Sequence, residues 1–197
     1  MKNKRYIGQI MIRQLAGILI LIQIILSQQV QEGTPYSQLN GLDNTYHSIN
    51  LPLVDREAML EEDSVKPQGT PYRYGFKHEV NYSPENSGIW EETTDGGLLW
   101  QISFKSEAAF ALSFEYDKFF IPEGGELYIM TPDYEMVQGA YTHLNNSNTR
   151  RFATPHLKGD TALIEYYQPP DTQGKFSLII TEIIHDYRDI MDFSSNG

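Results

Sequence analysis

The chain has 197 residues, 26 acidic against 15 basic side chains, a net charge of −11 and no cysteine. The acidity opposes binding to nucleic acid or anionic lipid, where Lys and Arg must neutralise phosphates. The missing cysteine excludes thiol nucleophiles, Cys-ligated zinc and disulfides, so stability must come from a hydrophobic core, for which the length suffices.

Residues 1–27 read as an export signal. Lys2, Lys4, Arg5 and Arg13 precede an apolar run from Leu15 to Leu26, and Ser27 precedes a polar break. A helix over that run covers about 18 Å, short of the roughly 30 Å of a hydrocarbon core. Removing the signal leaves 11 basic residues against 26 acidic ones, a balance of −15. The expected location is periplasmic or extracellular, with no stable membrane association after cleavage. Residues 28–71 read as a linker with one short helix near 54–62, where Asp55 serves as N-cap and Val54 packs on Met59 as a hydrophobic staple. The tetrapeptide Gly33-Thr34-Pro35-Tyr36 is echoed by Gly69-Thr70-Pro71-Tyr72, too briefly to define a repeat.

From residue 72 the texture changes to alternating aromatic and aliphatic residues. Leu98, Trp100, Ile102 and Phe104 share one face of a strand, and Phe110, Leu112, Phe114 and Tyr116 share another. The run from Phe176 to Ile184 reads as a strand buried on both faces near its end. Further strands are expected over 72–80, 87–93, 126–131, 135–141 and 161–167. Asp95-Gly96-Gly97, Pro122-Glu123-Gly124-Gly125, Pro132-Asp133, Lys158-Gly159-Asp160 and Pro169-Pro170-Asp171 supply the turns. Short spacing without long helices argues for antiparallel sheets, since parallel pairs need long crossovers. The pattern predicts an all-β, jelly-roll-like antiparallel β-sandwich over 72–190, preceded by signal, linker and helix and followed by a tail at 191–197.

Motifs for chemistry are sparse. His78-Glu79 opens like a zinc-protease helix, but Tyr82 stands where the second His is needed, and the segment alternates like a strand. No Gly-x-Ser-x-Gly elbow occurs. His185-Asp186 imitates part of a serine triad, though a strand-terminal polar pair is the simpler reading. The double glycines lack a following helix and are turns rather than phosphate cradles. Acids such as Glu91, Glu92, Asp95, Asp117, Glu123 and Glu126 are candidates for glycosidase or calcium chemistry by abundance alone. No cofactor is expected. Tyr72, Tyr74, Tyr82, Tyr128, Tyr141, Tyr166 and Tyr167 lie in expected strands, where tyrosine commonly serves core edges and sheet surfaces.

A series of phrases resembles one family: Leu51-Pro-Leu-Val-Asp-Arg-Glu-Ala-Met-Leu-Glu-Glu-Asp63, Arg73-Tyr-Gly-Phe76, Ser87-Gly-Ile-Trp90, Asp95-Gly-Gly-Leu-Leu-Trp100, Phe119-Phe-Ile-Pro-Glu-Gly-Gly125, Phe152-Ala-Thr-Pro155, Ile164-Glu-Tyr-Tyr167 and Ile183-Ile-His-Asp-Tyr-Arg188. In this order they are similar to the N-terminal pro-region of secreted bacterial lysyl-endopeptidase-type, trypsin-like serine protease precursors. The resemblance implies a non-catalytic pro-domain that assists folding of the catalytic domain, masks its active site, or both. The catalytic domain itself is absent from residues 1–197, so no catalytic residue is carried over. The implied partner is a trypsin-like protease domain, in cis or from a neighbouring gene. Arg150-Arg151, in a polar loop, is the candidate processing or nicking site, and Lys158 and Lys175 are candidates for a cleft-filling lysine. The alternative is a secreted jelly-roll that binds glycan or another extracellular ligand through its aromatics.

Overall fold

A computed structural model describes residues 33–42 and 48–195. The expected export signal lies outside the described residues. Two antiparallel-dominated sheets stack as a sandwich, as the alternation predicted. Along the chain come helix α1 (Tyr36–Leu39), β1 (Ser48–Asn50), helix α2 (Arg56–Ser64), β2 (Gly75–Tyr82), β3 (Ile89–Glu92), β4 (Leu98–Lys105), β5 (Ala111–Phe120), β6 (Glu126–Met130) and β7 (Val137–Tyr141). They continue with a 3-10 turn (His143–Asn145), β8 (Phe152–Ala153), β9 (Leu157–Lys158), β10 (Thr161–Gln168), β11 (Ser177–Asp186) and helix α3 (Ile190–Ser195).

Sheet A has six strands in the order β1-β4-β10-β6-β7, with β3 sharing the edge of β4 beside β1. Sheet B has five, β2-β11-β5-β8, with β9 also pairing β5. The inward positions meet as expected: Trp100, Ile102 and Phe104 of β4, Ile164 and Tyr166 of β10, Phe114 and Tyr116 of β5, and Ile180 and Ile183 of β11 are all in the core. Each such side chain contributes about 1.5–3 kcal/mol by leaving water. Tyr166 and Phe176 stack face to face at 3.6 Å, closing one end of the interior. β11 is buried on both faces over Ile183–Asp186, as its sequence required.

The sequence-based reading departs from the structure mainly near the N-terminus. Residues 28–50 read as linker, yet they supply α1 and β1. β1 pairs parallel with β4, Ser48 opposite Ser103 and Asn50 opposite Lys105, the one parallel pair among the described residues. A long connection through α2, β2 and β3 separates the two strands and meets the crossover requirement. Helix α2 starts about where predicted, with the Asp55 side chain accepting from the Ala58 N–H at 3.0 Å. The strands β8 and β9, two residues each, carry too little alternation to be read, and the tail contains α3.

The segment 33–42 acts as a strap on the outer face of sheet A. Gln101 and Tyr128 flank Glu165 across β4, β10 and β6. Glu165 is fully buried, and its carboxylate accepts from the Ser37 N–H at 3.2 Å and the Gln101 side-chain amide at 2.7 Å. Tyr36 stacks on Tyr167 at 4.6 Å, and the Ser37 hydroxyl meets that of Tyr134 at 3.0 Å. Gly33 lies close against Tyr128, so that a Cβ there would meet the Tyr128 hydroxyl and force the ring or the strap to move.

Candidate functional site

β2, β11 and the end of β4 gather titratable groups at one end of sheet B. His185 follows the core residue Ile183 by two positions and therefore points inward. His78, on β2, lies opposite Ile183. Between the two imidazoles sits Ser106, its hydroxyl 2.7 Å from His185 Nδ1 and 3.4 Å from His78 Nε2. The shorter distance is that of a nucleophile and its base. Ser106 is fully buried, however, and His185 is 1% exposed, so no substrate reaches the pair. Nor does Asp186 orient His185. Its carboxylate accepts from the backbone N–H groups of Arg188 (2.7 Å), Asp189 (3.1 Å) and Ile190 (3.0 Å), which turns the chain into α3. The strand-terminal polar pair is what the geometry builds.

Burial, reinforced by the neighbouring His78 and opposed by Asp186, lowers the His185 pKa from 6.5 to about 4. Burial lowers His78 as well. His156 stacks edge-on with Tyr74 at 5.2 Å and is also lowered by burial, against the pull of Asp186. Among the described residues no group of three or more His, Cys, Asp or Glu is placed to hold a metal ion.

Beside this cluster lies a polar knot centred on Asp63, the penultimate residue of α2. Its carboxylate takes Lys66 Nζ at 2.6 Å, Arg73 Nε at 3.0 Å, the Tyr187 hydroxyl at 2.6 Å and Arg188 Nη2 at 2.6 Å. The side chain is only 9% exposed. Hydrogen bonds from Lys66, Tyr187 and Arg188, with the charge of Arg73, hold it well below the usual carboxylate range despite desolvation. Arg56, at the other end of α2, donates to the Tyr187 carbonyl at 2.9 Å. Three of the phrases on which the resemblance rests, 51–63, 73–76 and 183–188, thus meet at one place. The spacing alone did not reveal it, because Asp63 and Arg188 are 125 residues apart.

A third feature is a groove of about 350 Å³ at the opposite rim, lined by Pro84, Glu85, Trp90, Leu98, Lys175 and Phe176 among others. Trp90 packs edge-on against Tyr166 and Phe176 and anchors its indole N–H on the Pro84 carbonyl at 3.1 Å. Lys175, a candidate cleft-filling residue, lies 3.1 Å from Glu85. Lys158, the other, sits on β9, 3.8 Å from Asp192.

Arg150 and Arg151 are exposed but held in a turn. Arg150 has φ of 53°, its carbonyl accepts from the Phe119 N–H at 2.9 Å, and its guanidinium lies over the Phe120 ring. Arg151 reaches Asp117 at 3.4 Å. Of the tyrosines expected in strands, Tyr128, Tyr141 and Tyr166 are buried, whereas Tyr72 precedes β2, which begins at Gly75, and is 66% exposed.

No family model matches the chain. Among solved structures, the isomalto-dextranase of Arthrobacter globiformis T6, complexed with panose, matches with 9% identity and a TM-score of 0.22. The match covers 49% of this chain and 17% of that one, and at such a score the likeness carries no argument.

Proposed function

We propose that the chain is the exported, non-catalytic pro-domain of a trypsin-like serine endopeptidase precursor, which assists folding of the catalytic domain, masks its active site, or both. The observation that supports it most is the Asp63 knot. It joins phrases of the resemblance from both ends of the described chain into one physical unit. A binding role of this kind needs a rigid domain that stabilises the folded partner by mass action. The sealed Ser106–His185 pair agrees with a role without turnover. Glycan binding through the strand tyrosines has less support, because Tyr128, Tyr141 and Tyr166 are buried.

The test uses the trypsin-like catalytic domain that this reading expects downstream in the same frame or beside this gene. Refolding that domain with and without an excess of this chain should show a higher yield of active enzyme, saturable inhibition, or both. Neither effect at any excess refutes the proposal, as does peptide-bond hydrolysis by this chain alone.

A further inference from the structure

We propose that the free edge of β3 is a docking site for an extended segment of another polypeptide carrying Lys or Arg at alternate positions. The inference is independent of the protease partnership.

The hairpin between β3 and β4 fixes the directions of the main-chain groups. The Thr93 N–H donates to the Gly97 carbonyl at 3.0 Å, which makes these residues a hydrogen-bonded pair. Such pairs alternate along an antiparallel ladder. The register Ile89 to Gln101 through Glu92 to Leu98 then turns the main chain of Ile89 and Glu91 toward β4 and that of Trp90 and Glu92 away from it. Among the described residues β3 pairs with β4 alone, so this outward row of donors and acceptors is open to an added strand.

The side chains state what kind of strand fits. All four residues of β3 are exposed, with Ile89 at 53% and Trp90 at 39%. Natural edges are ordinarily blunted rather than furnished with a large aromatic. Trp90 borders the rim groove, whose basic lining residue, Lys175, is already paired with Glu85. Glu91 and Glu92 add two further negative charges on the strand itself. Trp90 and Glu92 share one face of β3 and Glu91 lies on the other, so a Lys or Arg on the incoming strand lays its stem on the indole and sets its head by Glu92 and Glu85. A second copy of this chain fits poorly: antiparallel β3-to-β3 pairing brings the glutamates of both copies together, on molecules of net charge −11.

The probe is a capped heptapeptide of alternating lysine and valine, added to the full chain. Tryptophan fluorescence and backbone amide shifts are followed. Two control peptides are used, one N-methylated at alternate amides and one with glutamate in place of lysine. The lysine peptide should bind saturably, with shifts confined to 89–92 and 174–176. Its affinity should fall by ~10-fold or more in Glu91→Lys/Glu92→Lys, exposed changes that leave the unfolding midpoint in place. Both control peptides should fail to bind. Absence of saturable binding up to millimolar peptide overturns the proposal. So does equal binding of the N-methylated peptide, which would mean charge alone, or shifts mapping elsewhere. Self-association through β3, seen by sedimentation and abolished by the same double variant, would also overturn it in favour of a second copy.

Discussion

Moving the protein from pH about 7 to about 5 charges a histidine in the unfolded chain while His185 in the folded one stays neutral. With an ordinary pKa of 6.5 and a folded value of about 4, the unfolded state binds the extra proton between those limits. Stability therefore rises with pH across this window: it is fully present above the ordinary value and is lost as pH falls toward the folded one. At pH about 5 the loss attributable to His185 is about 2 kcal/mol. His78 from β2 and Ser106 after β4 face the imidazole, and Asp186, whose oxygens are taken by three N–H groups, offsets little of the burial. His78 and His156, both lowered, act in the same direction. Asp63 also has a lowered pKa, so its contribution carries the same sign. Its contribution is present above the ordinary carboxylate value of 3.8 and is lost only below it, outside this window. Urea unfolding at both pH values, followed by tryptophan fluorescence, should show His185→Gln losing less stability on acidification than the parent by about 2 kcal/mol. Identical pH dependence of the two proteins, or a folded-state imidazole titrating near 6.5 by NMR, would refute the reasoning.

Asp63→Asn should speed hydrogen exchange in α2, in residues 65–74 and in 187–195 together, because one carboxylate holds all three; exchange confined to α2 would mean the knot is three separate contacts. Phe176→Ala removes a buried ring stacked on Tyr166 and should cost about 3–5 kcal/mol in urea unfolding. Glu165→Ala leaves the Ser37 N–H and the Gln101 amide without their acceptor at a cost of about 1–3 kcal/mol. The same variant should expose 33–42 to limited proteolysis before any cut within the sheets.

The sandwich was legible because the sequence alternates with period 2 over β4 and β5, setting large apolar residues on one face of each strand. Sequence could read Trp100, Ile102 and Phe104 as inward, although Leu98, expected on the same face, is 37% exposed. It could not read that Leu99, Gln101 and Ser103 on the opposite side are buried too, since the strap that contributes to covering them lies some sixty residues upstream in a stretch with turn residues and little periodicity. Glu165 is buried beneath the same strap, with its carboxylate on the Ser37 N–H. His185-Asp186 was legible as a polar pair at a strand end. Ser106 was not, because only the fold brings it to His185 from 79 residues away. Trp90 fell inside a predicted strand, but its exposure depends on β3 being an edge, which pairing alone decides.

Sheet order sets when this chain can fold. β10 lies between β4 and β6, and β11 between β2 and β5, so an interior strand of each layer comes from the last quarter of the sequence. Before residue 186 has been synthesised, β2 and β5 have no bond to each other, and before residue 168 β4 and β6 have none. The nascent polypeptide therefore emerges as separate hairpins with open borders, prone to self-adhesion if released early. A stop codon even a short distance before Ser177 removes the strand that β2 and β5 share, and its product should be insoluble rather than merely less stable.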